Sequence, residues 1–567
     1  MKNVLKNKMV AIPILFLVSS TLIFLMAVMT ARELEFTLDW KQTAEASAAI
    51  SLFFIFVRFN GHKKREYENM EQGSSKWGTA REKKRIVDKD FFNNIILSSS
   101  VFLSMNMYRT RKNCHVFVLG GSGAGKSKFY ATPNIMQMNA SYVITDPGKD
   151  HLSNLGKMLE NHGYKIKVFN VVNMAESMHF NPFAYFKATE DILRFINILI
   201  ANTGGGGNQN QSQNKDDFWS NAEKLWFMAH IAYIRETCQE EEQNLNSLVL
   251  LLTNSEVHEE DESFKSAVDV LFDELEQKDS KSFAVKQYKK YKLAAGKTAK
   301  SILISVGVRL AYFDIPALSR LVADDDLELD TLGNEKTALF IVVNDHDLTY
   351  NFLVTILLDT LFNTLVDAAD NQPSHHLKIP VRCILDEIAN IGFFPNMHVL
   401  IAVLRRRWVS LEFLFQNLNQ VKAQYKDNWA TIEGNCDTTV FLGGKGEDTT
   451  KYVSNDLLGK ATIDTVDYGH GGTANSMGPN SYNSSERKAG RNLKDETEVS
   501  RLEDDECIVS IRGMNPFDCK KYVPKDHPNY RESADYDRAN AYTFQPGIVT
   551  KGSEIHYVTF DLNLQEE

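Results

Sequence analysis

The chain has six cysteines in 567 residues, Cys114, Cys238, Cys383, Cys436, Cys507 and Cys519, and no two are spaced C-x-x-C. That absence excludes a disulfide framework and a cysteine zinc site, and it fits thiols in a reducing compartment. An excess of positive charge is also missing. Lys and Arg number 63 against 73 Asp and Glu, for a formal charge of −10. A chain-wide nucleic-acid footprint is excluded, so any DNA contact has to be local. The N-terminal apolar run is not closed by an A-x-A cleavage pattern, which argues against a signal peptide. Strand signals are sparse from residue 186 to 330, where the patterns are helical.

What is present begins with a glycine-rich run, Gly120-Gly121-Ser122-Gly123-Ala124-Gly125-Lys126-Ser127, after an apolar segment at 115–119. It fits G-x-x-x-x-G-K-[ST], the phosphate-binding loop of P-loop NTPases. Glycines let the backbone N–H groups converge on phosphates. Lys126 reaches the β- and γ-phosphates, and the Ser127 hydroxyl suits Mg²⁺. A helix-compatible stretch follows as far as Pro133. Downstream, the apolar strand pattern at 381–385 ends in Asp386-Glu387, the form of a Walker B pair. Asp386 would hold Mg²⁺ through water, and Glu387 would orient or deprotonate the attacking water.

About 260 residues separate Lys126 from Glu387, whereas one βαβ unit takes about 30. The gap therefore calls for an inserted domain. Strand patterns at 142–145 and 165–170 precede it, and those at 337–343 and 381–385 follow. The length suggests three or four domains, and 43% hydrophobic residues supply ample core.

Residues 9–30 form an uncharged run of 22, long enough to span a bilayer. A second apolar run, 46–57, is too short by itself; extended to 42–59, with Glu45 near one end, it would just cross. Lys2, Lys6 and Lys8 precede the first, and Arg58, Lys63, Lys64 and Arg65 follow the second. The positive-inside rule then puts both ends in the cytoplasm, with a short outer loop at 31–41. Gly204-Gly205-Gly206-Gly207-Asn208 and the stretch 469–492 read as flexible loops. The acidic clusters at 259–262 and 324–326 read as solvated helix ends or loops, with a basic partner as the sharper alternative.

Taken in order, the motifs resemble the conjugative type IV secretion coupling proteins, the TraG/TraD-like group of DNA-transfer ATPases. Gly73-Ser74-Ser75-Lys76-Trp77-Gly78-Thr79 is similar to G-[SA]-[AS]-[RK]-W-[AG]-[TS]. Residues 141–150, SYVITDPGKD, resemble a strand followed by D-P-K-G-[ED], with Gly148 and Lys149 swapped. Asn181-Pro182-Phe183, Asp217-Phe218-Trp219, the run 385–392, Arg405-Arg406-Arg407, Gln416-Asn417, Arg491-Asn492-Leu493 and the run 512–517 continue the set.

The resemblance implies an α/β fold: a RecA-like P-loop NTPase core, an inserted all-α domain and an N-terminal transmembrane anchor. The expected divisions are 1–60 for the anchor, with two spans, 61–185 and 331–567 for the nucleotide-binding domain and tail, and 186–330 for the insertion. It further implies a multi-pass cell-membrane protein with its bulk in the cytoplasm, assembled as a homo-hexamer. The function implied is ATP- and Mg²⁺-dependent transfer of relaxase-bound single-stranded DNA into a type IV secretion channel. Lys126, Glu387, Gln416 and Arg405 would be the catalytic residues. Gln416 would sense the γ-phosphate from a strand next to the Walker B strand. Arg405, chosen from the family's spacing to that Gln, would reach a neighbouring subunit's ATP. Gly120, Gly121, Ser122, Gly123, Ala124, Gly125, Lys126 and Ser127 would bind nucleotide, and Ser127 and Asp386 would hold the metal. Two other readings compete: a different DNA translocase or secretion ATPase, and a non-hydrolytic receptor switched by nucleotide.

Overall fold

Unbroken apolar runs become the centre of a nine-stranded sheet. The structure, a computed structural model, describes residues 8–33, 39–60, 70–203, 213–258, 264–294, 296–471 and 481–546. The strands are Val116–Leu119 (β1), Ser141–Pro147 (β2), Lys165–Asn170 (β3), Thr337–Val343 (β4), Val381–Asp386 (β5), Val409–Phe415 (β6), Thr438–Phe441 (β7), Glu506–Ile511 (β8) and Phe517–Lys520 (β9). Their order is β9-β8-β7-β1-β6-β5-β2-β4-β3. From β7 to β3 all pairs are parallel, whereas β8 runs antiparallel to both β7 and β9. Helices cover both faces, so β1, β4, β5 and β6 are buried at every position. A strand buried on both faces has no polar side to show, hence the continuous apolar reading. The pleat divides the side chains: Phe117 and Leu119 face one core, Val116 and Val118 the other.

Between β3 and β4 the described residues hold helices and no strand. The main ones are Thr189–Thr203, Gln213–Thr237, Leu245–Thr253, Ala267–Lys278, Phe283–Tyr291, Gly296–Leu310 and Pro316–Leu321. Ser266 starts one of them through a capping box with Asp269, which satisfies two otherwise orphaned N–H groups. Trp226, Phe272 and Leu310 of these helices share one core with Leu339, Leu385 and Phe413 of the sheet. Helix Asn351–Asp370 is apolar and long enough to cross a bilayer, yet 67% of its apolar window is buried. It is a central core helix.

Three sequence readings need correction or placement. The helical run after the glycine loop does not stop at Pro133. Lys126–Ala131 is a π-helix and Thr132–Met136 an α-helix. Pro133 thus sits in the first turn of the α-segment, where its missing N–H costs little. The acidic cluster at 324–326 is satisfied internally. Asp325 accepts hydrogen bonds from the Tyr185 hydroxyl at 2.6 Å and the Asn181 N–H at 3.3 Å, Asp326 accepts from the His179 N–H at 2.6 Å, and Asp324 pairs with the His179 ring at 2.5 Å. The Gly204 to Asn208 run and the acidic residues 259–262 lie outside the described residues.

Residues 1–74 with 460–491 form a separate unit. Helices Lys8–Glu33 and Trp40–Asn60 pack on each other, with the Phe24 and Trp40 rings 6.0 Å apart. Val18, Leu22, Met26, Met29, Leu52 and Phe53 are exposed. The 9–30 run is helical throughout, and the side chains of its first residues, 9–15, lie outside the described ones. Lys2, Lys6, Lys63, Lys64 and Arg65, and the centre of the expected outer loop, lie outside the described residues. The 469–492 stretch is not simply loop: Lys460–Gly471 and Ser481–Asn492 pair as two strands. Strand preference depends on context more than composition, and here Thr462 bonds the Gly73 carbonyl through its N–H at 3.1 Å and its hydroxyl at 2.9 Å. All six cysteines are free, and five are buried.

Candidate nucleotide site

The glycine loop leaves the carboxyl end of β1, at the centre of the sheet. Gly123 and Gly125 have φ of 76° and 80°, the left-handed region that glycine adopts without a Cβ penalty. A Cβ on Gly125 would also lie 2.4 Å from the Phe129 ring. The Gly125 carbonyl accepts from the Phe129 N–H at 2.7 Å, joining the loop to the π-turn behind it. Such a turn inside a helix is frequent at functional sites. Lys126 is 7% exposed, and its ammonium donates to the Gly120 carbonyl at 3.2 Å. The side chain is folded across the mouth of its own loop.

β6 lies between β1 and β5, which brings the remaining predicted residues to the same edge. The Ser127 hydroxyl donates to an Asp386 carboxylate oxygen. Asp386 is 2% exposed, and its backbone carbonyl accepts from the Thr145 hydroxyl at 2.8 Å. Its other carboxylate oxygen accepts from the Glu387 N–H at 3.0 Å. Glu387 has φ of 52°. Non-glycine residues held there cost free energy and cluster at functional sites. Its carboxylate is held on both sides, accepting from Gln416 Nε2 at 2.8 Å and Asn390 Nδ2 at 3.1 Å. The oxygen donors Ser127 and Asp386 fit Mg²⁺, which takes one or two protein ligands alongside waters and phosphates.

Lys126, Ser127, Asp386, Glu387 and Gln416 therefore meet, while Arg405 does not join them. Arg405 lies near the end of helix Met397–Arg406, before β6, and Gln416 directly follows β6. Seven strand residues, roughly 20 Å, separate the two ends. There Arg405 lines a cavity of about 410 Å³ with Met105, Tyr108, His115, Trp408 and Ser410. Burial pushes the His115 imidazole down to about 4, so it is neutral. Asp146, from the SYVITDPGKD run, accepts from the N–H groups of His151 at 3.0 Å and Leu152 at 2.8 Å. It caps helix Asp150–Asn161, while Lys149 pairs with Glu176.

Sequence reasoning missed Thr145, Asn390 and a second glycine loop. Gly443 and Gly444, after β7, lie against the phosphate loop: the Gly121 N–H donates to the Gly443 carbonyl at 2.8 Å. A Cβ on Gly444 would stand 3.3 Å from the Gly121 nitrogen. With Ser122, Gln416, Asn417 and Lys445 this loop lines a cavity of about 280 Å³. The run Gly443-Gly444-Lys445-Gly446 was a visible signal for it.

Residues 69–540 match the family described as type IV secretory system conjugative DNA transfer. The conjugal transfer protein TraG of Rhizobium radiobacter is 20% identical over 417 residues, covering 72% of this chain and 62% of that protein. The chain thus spans less than two thirds of that relative's length. Among solved structures, an unbound form of the bacterial conjugative coupling protein TrwBdeltaN70 has a similar fold, with a TM-score of 0.57 at 15% identity over 80% of this chain and 95% of that one. Plasmid coupling protein TrwB in complex with ADP and Mg²⁺ gives 0.56 at 14% identity over 79% and 94%. With the match running through both the phosphate loop and the Asp386-Glu387 pair, the chain belongs to the type IV secretory conjugative DNA transfer family.

Proposed function

We propose that the chain is a membrane-anchored ATPase that couples relaxase-bound single-stranded DNA to a type IV secretion channel and drives its transfer in conjugation. The observation that carries this reading is the convergence of Lys126, Ser127, Asp386, Glu387 and Gln416 at one edge of the sheet. The fold likeness to TrwB in complex with ADP and Mg²⁺ supports ATP and Mg²⁺ as its ligands.

The chain's residues divide the work. Lys126 leaves the Gly120 carbonyl and neutralises charge on the β- and γ-phosphates. Ser127 and Asp386 hold Mg²⁺, which when bound offsets phosphate charge. Glu387 Oε1 or Oε2 accepts a proton from the attacking water, and Gln416 and Asn390 fix the direction of that carboxylate. A pure receptor needs nucleotide affinity but no such carboxylate held on both sides. Residues 61–185 and 331–567 act as the RecA-like nucleotide-binding domain, 186–330 as the inserted all-α domain, and 1–60 as the anchor. The exposed apolar side chains of helices Lys8–Glu33 and Trp40–Asn60 support that anchor. Arg405 is remote from its own site, which supports a role in a neighbouring copy's site within a homo-hexamer.

The test is steady-state ATP turnover by the full chain in detergent, with and without single-stranded DNA. Wild type is expected to hydrolyse ATP faster with DNA. Lys126→Ala should lose both binding and turnover, while Glu387→Gln should keep ATP bound and lose turnover by about 10²–10⁴-fold. Near wild-type hydrolysis by Glu387→Gln would overturn the assignment.

A further inference from the structure

Three lysines are buried among the described residues: Lys126, Lys167 and Lys521, at 7%, 4% and 5% exposure. A cation taken out of water needs an opposite charge nearby. Lys167 has one, with its ammonium 3.4 Å from the Glu328 carboxylate. Lys126 and Lys521 have no carboxylate within ion-pair distance among the described residues. Each instead donates to a carbonyl of the phosphate loop, Lys126 to Gly120 at 3.2 Å and Lys521 to Ala124 at 2.9 Å. For Lys126 the missing counter-charge is the nucleotide phosphate.

The same reasoning applies to Lys521. It directly follows β9, and its backbone N–H is fixed by the Asp505 carbonyl at 2.7 Å. The Asp505 carboxylate is already paired with Lys520 at 2.8 Å. The Lys521 ammonium stands 5.4 Å from the centre of the Phe129 ring, the ring that packs over Gly125. Ala124, Gly125, Phe129 and Lys521 thus form one wall of the loop. An ammonium has three donors, and the Ala124 carbonyl takes one. Resting on the reading of the Gly120 to Ser127 loop as a nucleotide site, we propose that Lys521 is a second phosphate-binding lysine of that site, parked on the Ala124 carbonyl until a nucleoside di- or triphosphate arrives. Burial depresses its ammonium below the usual lysine value, and an arriving phosphate would restore it.

The experiment is calorimetric titration of ADP with Mg²⁺ into the full chain in detergent, using wild type, Lys126→Ala, Lys521→Gln and Lys521→Arg. Lys521→Gln should weaken ADP binding by about tenfold or more, the scale of one lost charged hydrogen bond. Arg cannot deprotonate, so between about pH 7.5 and 10 wild type should lose more affinity than Lys521→Arg. A lysine that only props the Ala124 carbonyl would not give that difference, because a neutral amine still donates to a carbonyl. Equal affinity of Lys521→Gln and wild type, or parallel pH profiles for wild type and Lys521→Arg, overturns the proposal. Should Lys521→Gln fail to fold, the two pH profiles decide alone. If wild type itself binds no ADP, or binds it no better than Lys126→Ala, the nucleotide reading has failed instead.

Discussion

Arg382 and Glu412 are fully buried, and their side chains meet at 2.6 and 3.0 Å across β5 and β6. Glu412 also accepts from the Tyr130 hydroxyl at 2.8 Å, and Arg382 donates to the Asn134 side chain at 2.9 Å. Both partners lie in the helical run behind the phosphate loop, so one ion pair ties that loop to the strands carrying Asp386 and Gln416. Removing one charge leaves the other buried and unmatched, which costs about 3–5 kcal/mol. Arg382→Met should therefore lower unfolding stability by that amount, whereas Tyr130→Phe should lose only about 1 kcal/mol. Denaturant midpoints of the full chain measure this, and equal losses for the two variants would contradict it. At this scale the sequence is uneven. The phosphate loop and Asp386-Glu387 are legible because each motif is contiguous. Arg382 and Glu412 sit inside runs that read as apolar strands, and their pairing depends on β5 and β6 being neighbours. Lys521 lies 397 positions from Ala124, beyond any local pattern.

Helix Gln213–Thr237 buries an aromatic stack, with the Trp226 and His230 rings 3.9 Å apart. His230 Nδ1 lies 2.7 Å from the Trp226 carbonyl, and loss of hydration pushes the imidazole down to about 3. The unfolded ring titrates near 6.5, so below that pH the unfolded chain binds a proton the folded one refuses. The stability this residue contributes is complete above about 6.5 and declines as pH falls toward 3, by about 1.4 kcal/mol per pH unit. Buried carboxylates such as Asp325, raised to about 6 by desolvation, act in the opposite direction but are common to wild type and variant. His230→Gln should flatten the fall in urea midpoint between pH 6.5 and 4.5. A wild-type-to-variant gap that stays constant with pH would exclude this account. Element type is legible where periodicity is strong, as in the core strands and the helices between β3 and β4. It is not legible in Ser481–Asn492, where strand pairing rather than composition decides, nor at Pro133, where a change of helix type removes the expected stop.

Gln416 and Arg405 bracket β6, so the sheet puts the two predicted catalytic groups on opposite edges of one molecule. An arginine that completes a neighbour's site is worth about 10³–10⁵ in rate. ATP turnover should therefore rise more steeply than protein concentration. Mixing inactive Arg405→Ala and Lys126→Ala chains should restore part of it, because some interfaces then pair an intact Arg405 with an intact Lys126. Mixed assemblies that stay inactive at every ratio would remove Arg405 from the role and leave Arg406 and Arg407. The family is legible at this scale because motif order survives when single motifs are weak, whereas the two-unit division is not, since 460–491 joins 1–74 across the length of the chain. The strand order carries one more consequence, for the chain while it is being made. β1 has β6 and β7 as its sheet neighbours, encoded about 290 and about 320 residues later. At about 5–20 residues per second, roughly 15–60 s of synthesis pass before β1 can pair. β1 thus leaves the ribosome long before its sheet neighbours exist, and a chaperone that shields unpaired apolar strands has that interval in which to act.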